Sequence, residues 1–305
     1  ANNLNGLRGR LPDWIRLPKS IALPFGVLDR VLADEHNRAL RDEYTALLAM
    51  TEDKTSEALA HVRELFLKLA APAELRTALL ECWQRASLPS IPWEQSWHAI
   101  RRVWASKWNE RAYLSRRARG ISHDSLQMAV LIQQVVPADY AFVIHTVNPL
   151  TGNRDEIFAE IVLGMGETLV GNYPGRALGF VCRKGDLKLE MLSYPGKSVG
   201  LYGQGVIFRS DSNGEDLEGF AGAGLYDSFL AEEPAHRLLD YRQEKLVWDA
   251  KFRDELLRSI ARVGLEVERL LGSAQDIEGA ITGGEIHVVQ TRPQVGLSDE
   301  DSVAA

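Results

Sequence analysis

The apolar pattern of the chain changes near residue 121, and this change limits the folds that the sequence can adopt. From Val27 to about residue 120, apolar side chains recur at the spacing of amphipathic helices. Further along, continuous apolar runs over 128–133 and 140–145 are typical of strands buried on both faces. The sequence therefore predicts a helical part followed by a mixed α/β or α+β part.

Turn and helix-breaking residues divide these two parts further. Prolines at residue 72 and within 88–92 predict three or four separate helices in the first part. A long helix is predicted over 246–271 and a closing hairpin over 275–292. We predict three regions, which are an N-terminal segment with a mainly helical subdomain over 1–120, a mixed α/β part over 121–297, and a polar tail over 298–305.

Length and composition exclude several classes of protein. The 305 residues are 45% apolar and 25% charged, which excludes a disordered tail or a collagen-like fibre. The net charge of −7 argues against general nucleic-acid binding. No apolar stretch reaches the roughly 20 residues that span a bilayer, so no membrane partner is expected. The chain begins with Ala1 rather than Met, which predicts a processed N-terminus or a piece of a longer chain.

A glycine-rich stretch at 209–224 is the first candidate for chemistry. It follows an apolar strand, and it contains Arg209, Ser210 and four glycines, including Gly222. Glycines let backbone amides approach an anion closely, and an arginine can pair with a phosphate through two hydrogen bonds. The stretch is neither a Walker A loop nor a Rossmann fingerprint. On composition alone, a phosphate loop and an acidic surface loop are equally consistent with it.

The predicted closing hairpin is the second candidate. Because side chains alternate along a strand, Gln290 and Arg292 share one face with Val288. A three-residue turn would place Glu278 opposite Gln290 on that face, and their oxygens would suit Mg²⁺. Arg292 would then neutralise phosphate charge. The alternative is an ordinary exposed hairpin with a charge pair.

Two further motifs carry weaker signals. Glu167 lies among glycines after a predicted strand and could bind ribose hydroxyls, although a glycine-rich turn explains the pattern as well. The segment 104–113 spaces Trp104, Trp108 and Ala112 along one helical face. That spacing favours core packing over an exposed platform for sugar rings.

Several segments together resemble a known family. The similar blocks lie at 128–136, 148–152, 164–167, 209–222 and 276–293. They resemble the ATP-grasp domain of the pyruvate phosphate dikinase family. The amino-acid sequences of segments 104–113 and 172–177 are similar to those of the starch-phosphorylating glucan dikinases of that family. This resemblance covers about residues 4–296. The arginine block follows the 128–136 block, so the order looks circularly permuted relative to pyruvate phosphate dikinase.

The resemblance implies a fold and an activity. The fold would be an α+β ATP-grasp with two lobes around a nucleotide cleft. The β-phosphate of ATP would pass to a histidine on a separate domain and then to α-glucan (starch), while the γ-phosphate would go to water. The implied site has Arg209, Ser210, Gly222 and Arg292 on the phosphates, Gln133, Val135 and Val136 around adenine, Glu167 on ribose, and Glu278 and Gln290 on Mg²⁺.

Two departures from the family pattern limit these expectations. No residue here takes the place of the family's ATP-binding lysine, since Lys19 lies well past that position, and no phosphohistidine domain is present. We therefore expect the chain to bind ATP but not to phosphorylate glucan alone. The alternatives are a phosphoglucan, pyruvate- or phosphoenolpyruvate-linked dikinase, or a non-catalytic nucleotide-binding module. The family suggests a plastid, at the starch granule surface in the chloroplast stroma, with a cytoplasmic location as the alternative.

Overall fold

A computed structural model describes residues 2–49, 56–171, 173–213 and 224–295, and these form a mixed α+β structure. The chain divides into two compact units. The sheet unit consists of residues 1–18, 136–204 and 233–305, and the helical unit consists of residues 19–135 and 205–232. This division does not follow the predicted boundary at residue 120, because strands from beyond that residue pair within the helical unit.

The helices and strands are as follows in chain order. The α-helices are α1 Asn2–Leu7, α2 Val27–Ala33, α3 Arg38–Ala49, α4 Ser56–Lys68, α5 Ala73–Arg85, α6 Trp93–Ala105, α7 Glu110–Ala118, α8 Glu167–Val170, α9 Lys245–Trp248 and α10 Ala250–Leu271. The strands are β1 Ile15–Arg16, β2 Ser20–Leu23, β3 Met128–Gln134, β4 Tyr140–His145, β5 Glu156–Leu163, β6 Leu178–Arg183, β7 Leu189–Ser193, β8 Val199–Tyr202, β9 Val206–Ser212, β10 Phe229–Leu230, β11 Ala235–Leu238, β12 Gln275–Thr282 and β13 Glu285–Pro293.

The sheet unit is built on a seven-stranded sheet with the order β1-β13-β12-β4-β5-β6-β7. Helix α10 packs on one face, where Leu257, Ile260 and Val263 are fully buried. Gly264 lets the helix approach closely, since a Cβ there would lie 3.1 Å from Ile144 of β4. The predicted long helix is confirmed, although it begins at Ala250, where the Asp249 side chain accepts a hydrogen bond from the helix N-terminus.

The helical unit packs helices α2–α7 on one face of a four-stranded sheet with the order β10-β9-β3-β2. There are more helices than the three or four predicted, because the chain breaks at Asp34, which caps the following turn, as well as at the prolines. Trp104 and Trp108 are fully buried, so the core-packing interpretation of segment 104–113 is confirmed. No helix in the described parts of the chain is long and apolar enough to cross a bilayer.

Candidate functional site

The hairpin of β12 and β13 pairs Glu278 directly with Gln290, as predicted. The predicted cause was a three-residue turn, and this is wrong. Thr282 pairs with Glu285, so the turn contains only Gly283 and Gly284, both with positive φ. A β-bulge beside Glu278 supplies the extra residue on β13 and brings the carboxylate opposite the amide.

The bulge also changes which side chains share a face. Ile286 and Val288 are buried in the core beneath α10, whereas past the bulge it is Thr291 that is buried. Gln290 and Arg292 therefore lie on the face away from α10, together with Glu278 of β12. Val288 does not share their face, which corrects the prediction from simple alternation.

Arg292 is held by a carboxylate that the sequence analysis did not assign. Its Nε and Nη2 donate to Oδ2 of Asp276, at 2.9 and 2.6 Å. The other oxygen, Oδ1, lies 3.7 Å from Nδ1 of His145 on β4. The Asp276 side chain is only 14% exposed and that of Arg292 27%, so water screens the ion pair little. The strand register was the signal that could have identified Asp276. It stands opposite Arg292 in the hairpin, and it lies two residues before Glu278 on the same strand.

The donor chemistry of this face fits a hard divalent cation in part. Glu278 offers carboxylate oxygens and Gln290 an amide oxygen from paired positions of adjacent strands. Magnesium is commonly bound through one or two protein oxygens, while phosphate and water complete its shell. No group of three or more His, Cys, Asp or Glu side chains suited to a metal occurs among the described residues. The face therefore suits a cation that arrives with phosphate.

Glu167 is the first residue of the short helix α8, which follows β5 in the sheet unit. The turn before it requires glycine, because Gly164 has φ of +78° and a Cβ there would lie 2.3 Å from the carbonyl oxygen of Leu201. Thr168 is buried and donates its hydroxyl hydrogen to the Met165 carbonyl. Glu167 itself is half-buried at a backbone position fixed by these contacts.

The helical unit contains most of the other predicted residues. Gln133 on β3 and Arg209 on β9 share the sheet face away from the helices, because Leu131 pairs with Arg209 and Ile207 with Gln133. Ser210 pairs with the core residue Val130 and so lies on the opposite face from Arg209. Gly222 lies outside the described residues.

The two valines predicted around adenine fall on either side of the division between the units. Val135 belongs to the helical unit, where its N–H donates to the Gly205 carbonyl at 2.9 Å. Val136 belongs to the sheet unit and packs with Ala138 and Ala280. Within the sheet unit, Glu278, Gln290 and Arg292 occupy one face of one hairpin.

Comparison with known proteins agrees with the motif resemblance. Residues 90–175 match the family described as pyruvate phosphate dikinase, AMP/ATP-binding domain. The alpha-glucan water dikinase of Citrus reticulata is 50% identical over 97% of this chain and 20% of its own length. Alpha-glucan water dikinase 1 of Arabidopsis thaliana is 49% identical over 97% of the chain and 22% of its length. Both names include the word chloroplastic.

A more distant similarity extends to another kind of enzyme. The phosphoenolpyruvate synthase of Pyrococcus furiosus is 24% identical over 95% of the chain and 34% of its own length. The identity to the two glucan dikinases is about twice as high as the identity to this synthase. The chain spans about a fifth of the length of those glucan dikinases. The resemblance to glucan dikinases that the motifs indicated is confirmed.

Proposed function

We propose that this chain, similar over 97% of its length to alpha-glucan water dikinases, is the ATP-binding part of such a dikinase. The β-phosphate of ATP passes to a histidine on another domain and from there to α-glucan, the γ-phosphate passes to water as inorganic phosphate, and AMP is left. The fold is an ATP-grasp with two lobes and a circularly permuted order of motifs. The match of residues 90–175 to an AMP/ATP-binding domain supports the nucleotide assignment.

The observation that carries the proposal is the polar face of the β12–β13 hairpin. Glu278 and Gln290 are paired across the strands, and Arg292 lies beyond Gln290 on the same face. Phosphoryl transfer depends mainly on positioning and on neutralising charge on the phosphate oxygens. Asp276 holds the guanidinium through Nε and Nη2, so Arg292 has one orientation and keeps its Nη1 donors for phosphate.

Glu278 and Gln290 are the residues that would hold Mg²⁺, which when bound neutralises phosphate charge. The paired strands fix the spacing between these two side chains, so little ordering remains to be done when nucleotide arrives. The carboxylate of Glu278 also repels phosphate when no cation is present, and the face therefore favours the magnesium complex of ATP over free ATP.

The remaining contacts follow from the motifs. Gln133, Val135 and Val136 line the adenine, and Glu167 accepts hydrogen bonds from ribose hydroxyls. The phosphates contact Arg209, Ser210 and Gly222. Because Ser210 lies on the opposite face from Arg209, its contribution comes from its backbone N–H rather than its hydroxyl.

The acceptor and the partner domain belong to the longer enzyme. The chain spans about a fifth of the length of these relatives, and the proposal assigns the phosphohistidine domain and the starch-binding parts to the remainder of the longer enzyme. Glucan is favoured over pyruvate as the final acceptor, because identity is 50% to the glucan dikinase and 24% to the phosphoenolpyruvate synthase. The chloroplastic relatives support a plastid location.

Isothermal titration with Mg·ATP tests the site. We expect the wild-type chain to bind and the Arg292→Ala variant to bind about 10- to 100-fold more weakly, because a charge-assisted contact to phosphate is lost. Asp276→Asn should give a smaller loss, since the guanidinium remains but its orientation is less restricted.

Arg16→Ala is the matched control, because Arg16 is an exposed arginine on β1, next to the same hairpin, and pairs with Glu285. It should bind Mg·ATP like the wild type. Absence of wild-type binding at millimolar nucleotide, or equal binding by Arg292→Ala and the control, would reject the proposed site.

A further inference from the structure

Three polar side chains are buried at the open end of the β12–β13 hairpin, beside the apolar core of the sheet unit. Gln275 at the start of β12 is 1% exposed, Thr291 near the end of β13 is 4% exposed, and Thr146, which follows β4, is fully buried. A buried polar group lowers stability unless it is hydrogen-bonded, whereas apolar side chains of similar size would fill the space without that requirement. None of the three is assigned a contact with nucleotide, so their polarity calls for another explanation.

Gln275 joins these residues in one set of hydrogen bonds. The Thr291 hydroxyl donates to Oε1 of Gln275 at 2.8 Å, and Nε2 of Gln275 donates to the Ser273 hydroxyl at 2.9 Å. The backbone N–H of Gln275 donates to the Thr146 hydroxyl at 2.7 Å, and its carbonyl accepts from the N–H of Thr146 at 2.9 Å. We call Thr146, Ser273, Gln275 and Thr291 the Gln275 network. It ties β13 to β12 and β12 to the end of β4.

The backbone of Thr291 is held as well. Strand β1 pairs with β13 at Ile286 and His287. Further along β13, the carbonyl of Thr291 accepts a hydrogen bond from Nδ2 of Asn3 on α1, at 3.1 Å. Both the side chain and the carbonyl of this one residue are therefore engaged, by β12 and by α1.

The hold on Thr291 matters because β13 does not alternate regularly at this point. The bulge interrupts the alternation between Val288 and Thr291, and since Val288 and Val289 are both apolar, the apolar pattern alone does not set which residues beyond them face the core. A hydrogen bond tolerates only a narrow range of distance and angle, whereas apolar contacts accommodate small shifts of a strand. The bond from Thr291 to Gln275 thus selects the arrangement in which Thr291 faces the core, and its two neighbours in the chain, Gln290 and Arg292, face away from it.

We propose that Gln275 and Thr291 are positioning residues for Mg·ATP, which act by fixing β13 past the bulge so that Gln290 and Arg292 lie on the nucleotide face. This inference rests on the proposed function, in which Gln290 holds Mg²⁺ and Arg292 contacts phosphate. Side chains that are placed on folding need not be ordered on binding, and this raises affinity without any new contact to the ligand.

Titration of the 305-residue chain with Mg·ATP, together with urea unfolding, tests the proposal. Thr291→Val keeps the shape of the side chain but removes its hydroxyl. We expect it to raise Kd about 5- to 20-fold and to lower the urea midpoint, because Oε1 of Gln275 is left buried without its hydrogen bond. Thr291→Ser keeps the hydroxyl and should bind Mg·ATP nearly as well as the wild type.

A double variant separates positioning from a purely structural role. Thr291→Val combined with Gln275→Met removes both partners, so no buried oxygen lacks a hydrogen bond and the urea midpoint should return toward the wild-type value. The Kd should stay raised, because the bond that selects the arrangement of β13 is still missing. Recovery of affinity together with the midpoint would overturn the inference. A double variant as unstable as Thr291→Val would also overturn it, since the network would then serve stability.

Ser193→Ala is the matched control in the same sheet. The Ser193 hydroxyl accepts from the N–H of Gly179 and donates to the Ala177 carbonyl, beside the bulge between β6 and β7. Its loss should lower the urea midpoint and leave Kd unchanged. Equal Kd values for Thr291→Val and Ser193→Ala would contradict the inference. Absence of wild-type binding would instead reject the proposed function, and the inference with it.

Discussion

Asp276, which the sequence analysis did not assign to the site, fixes the orientation of the predicted phosphate-binding residue Arg292. An arginine that is only 27% exposed needs a partner for its charge, and Asp276 supplies it across the hairpin. Two of the guanidinium nitrogens are engaged by one carboxylate oxygen, while the second oxygen faces His145. The result is a guanidinium with a fixed direction beside the Glu278–Gln290 pair, rather than a mobile surface charge.

Lys107 is a buried lysine whose titration should make the free energy of unfolding depend on pH. Its side chain is 7% exposed and donates to the Leu126 carbonyl at 2.8 Å. Burial, with the nearby Arg116 charge, lowers the pKa of Lys107 to about 8. Between pH 8 and 10 the unfolded chain holds more protons at this site than the folded one, so the free energy of unfolding should rise by about 1–3 kcal/mol.

Urea unfolding followed by tryptophan fluorescence at pH 8 and pH 10 checks this expectation. Lys107→Met should lack this pH-dependent gain, whereas Lys68→Met, which removes an exposed lysine of the same unit, should retain it. If Lys107→Met and wild type showed the same rise with pH, the buried ammonium would not be the cause.

At the scale of the element, the hairpin depends on one glycine beside the bulge. A Cβ at Gly279 would lie 2.1 Å from Cζ of Phe142 and 2.8 Å from the His287 carbonyl oxygen. Phe142 is 1% exposed and cannot move aside. Gly279→Ala should therefore lower the free energy of unfolding by about 2–3 kcal/mol. It should also weaken Mg·ATP binding, because the bulge sets Glu278 opposite Gln290.

Chemical denaturation and nucleotide titration of the same variant measure both effects. Gly185→Ala is the control, since a Cβ at Gly185 has no atom within 4 Å. Stability within about 0.5 kcal/mol of that control would mean that the sheet accommodates the methyl group, contrary to the packing argument.

At the scale of the whole molecule, the chain builds two units from interleaved segments. It passes between them near residues 18, 135, 204 and 232. The proposed nucleotide contacts are divided accordingly, with Arg209 in the helical unit and Arg292 in the sheet unit. Neither unit by itself contains all the residues that the proposal assigns to nucleotide, so a test of the proposed function needs both units in one chain.

ATP labelled separately on the β- or γ-phosphate tests the proposed reaction at this scale. When the chain is mixed with the histidine-containing domain of a glucan dikinase, we expect only the β-label to appear on histidine. Transfer of γ-label would contradict the proposed order of the reaction. Absence of any transfer, with the two domains fused to exclude weak association, would favour a non-catalytic nucleotide-binding module.

Local periodicity by itself determined several elements of this protein. The 3.6-residue apolar repeat predicted α10, and the short apolar runs predicted β3 and β4. The closing hairpin predicted over 275–292 corresponds to β12 and β13, although its turn is the two-residue Gly283-Gly284. These signals could be read because each arises from residues close together in the chain, where the backbone period alone decides which side chains share a face.

Only the tertiary structure decided how these elements combine into a site. The bulge that pairs Glu278 with Gln290, and the hold of Asp276 on Arg292, follow from strand register. The membership of β3 and β9 in the helical unit follows from pairing between residues far apart in the chain, as between Leu131 and Arg209. Register and long-range pairing are set by the packing of the whole core, and no local pattern in the sequence contains that information.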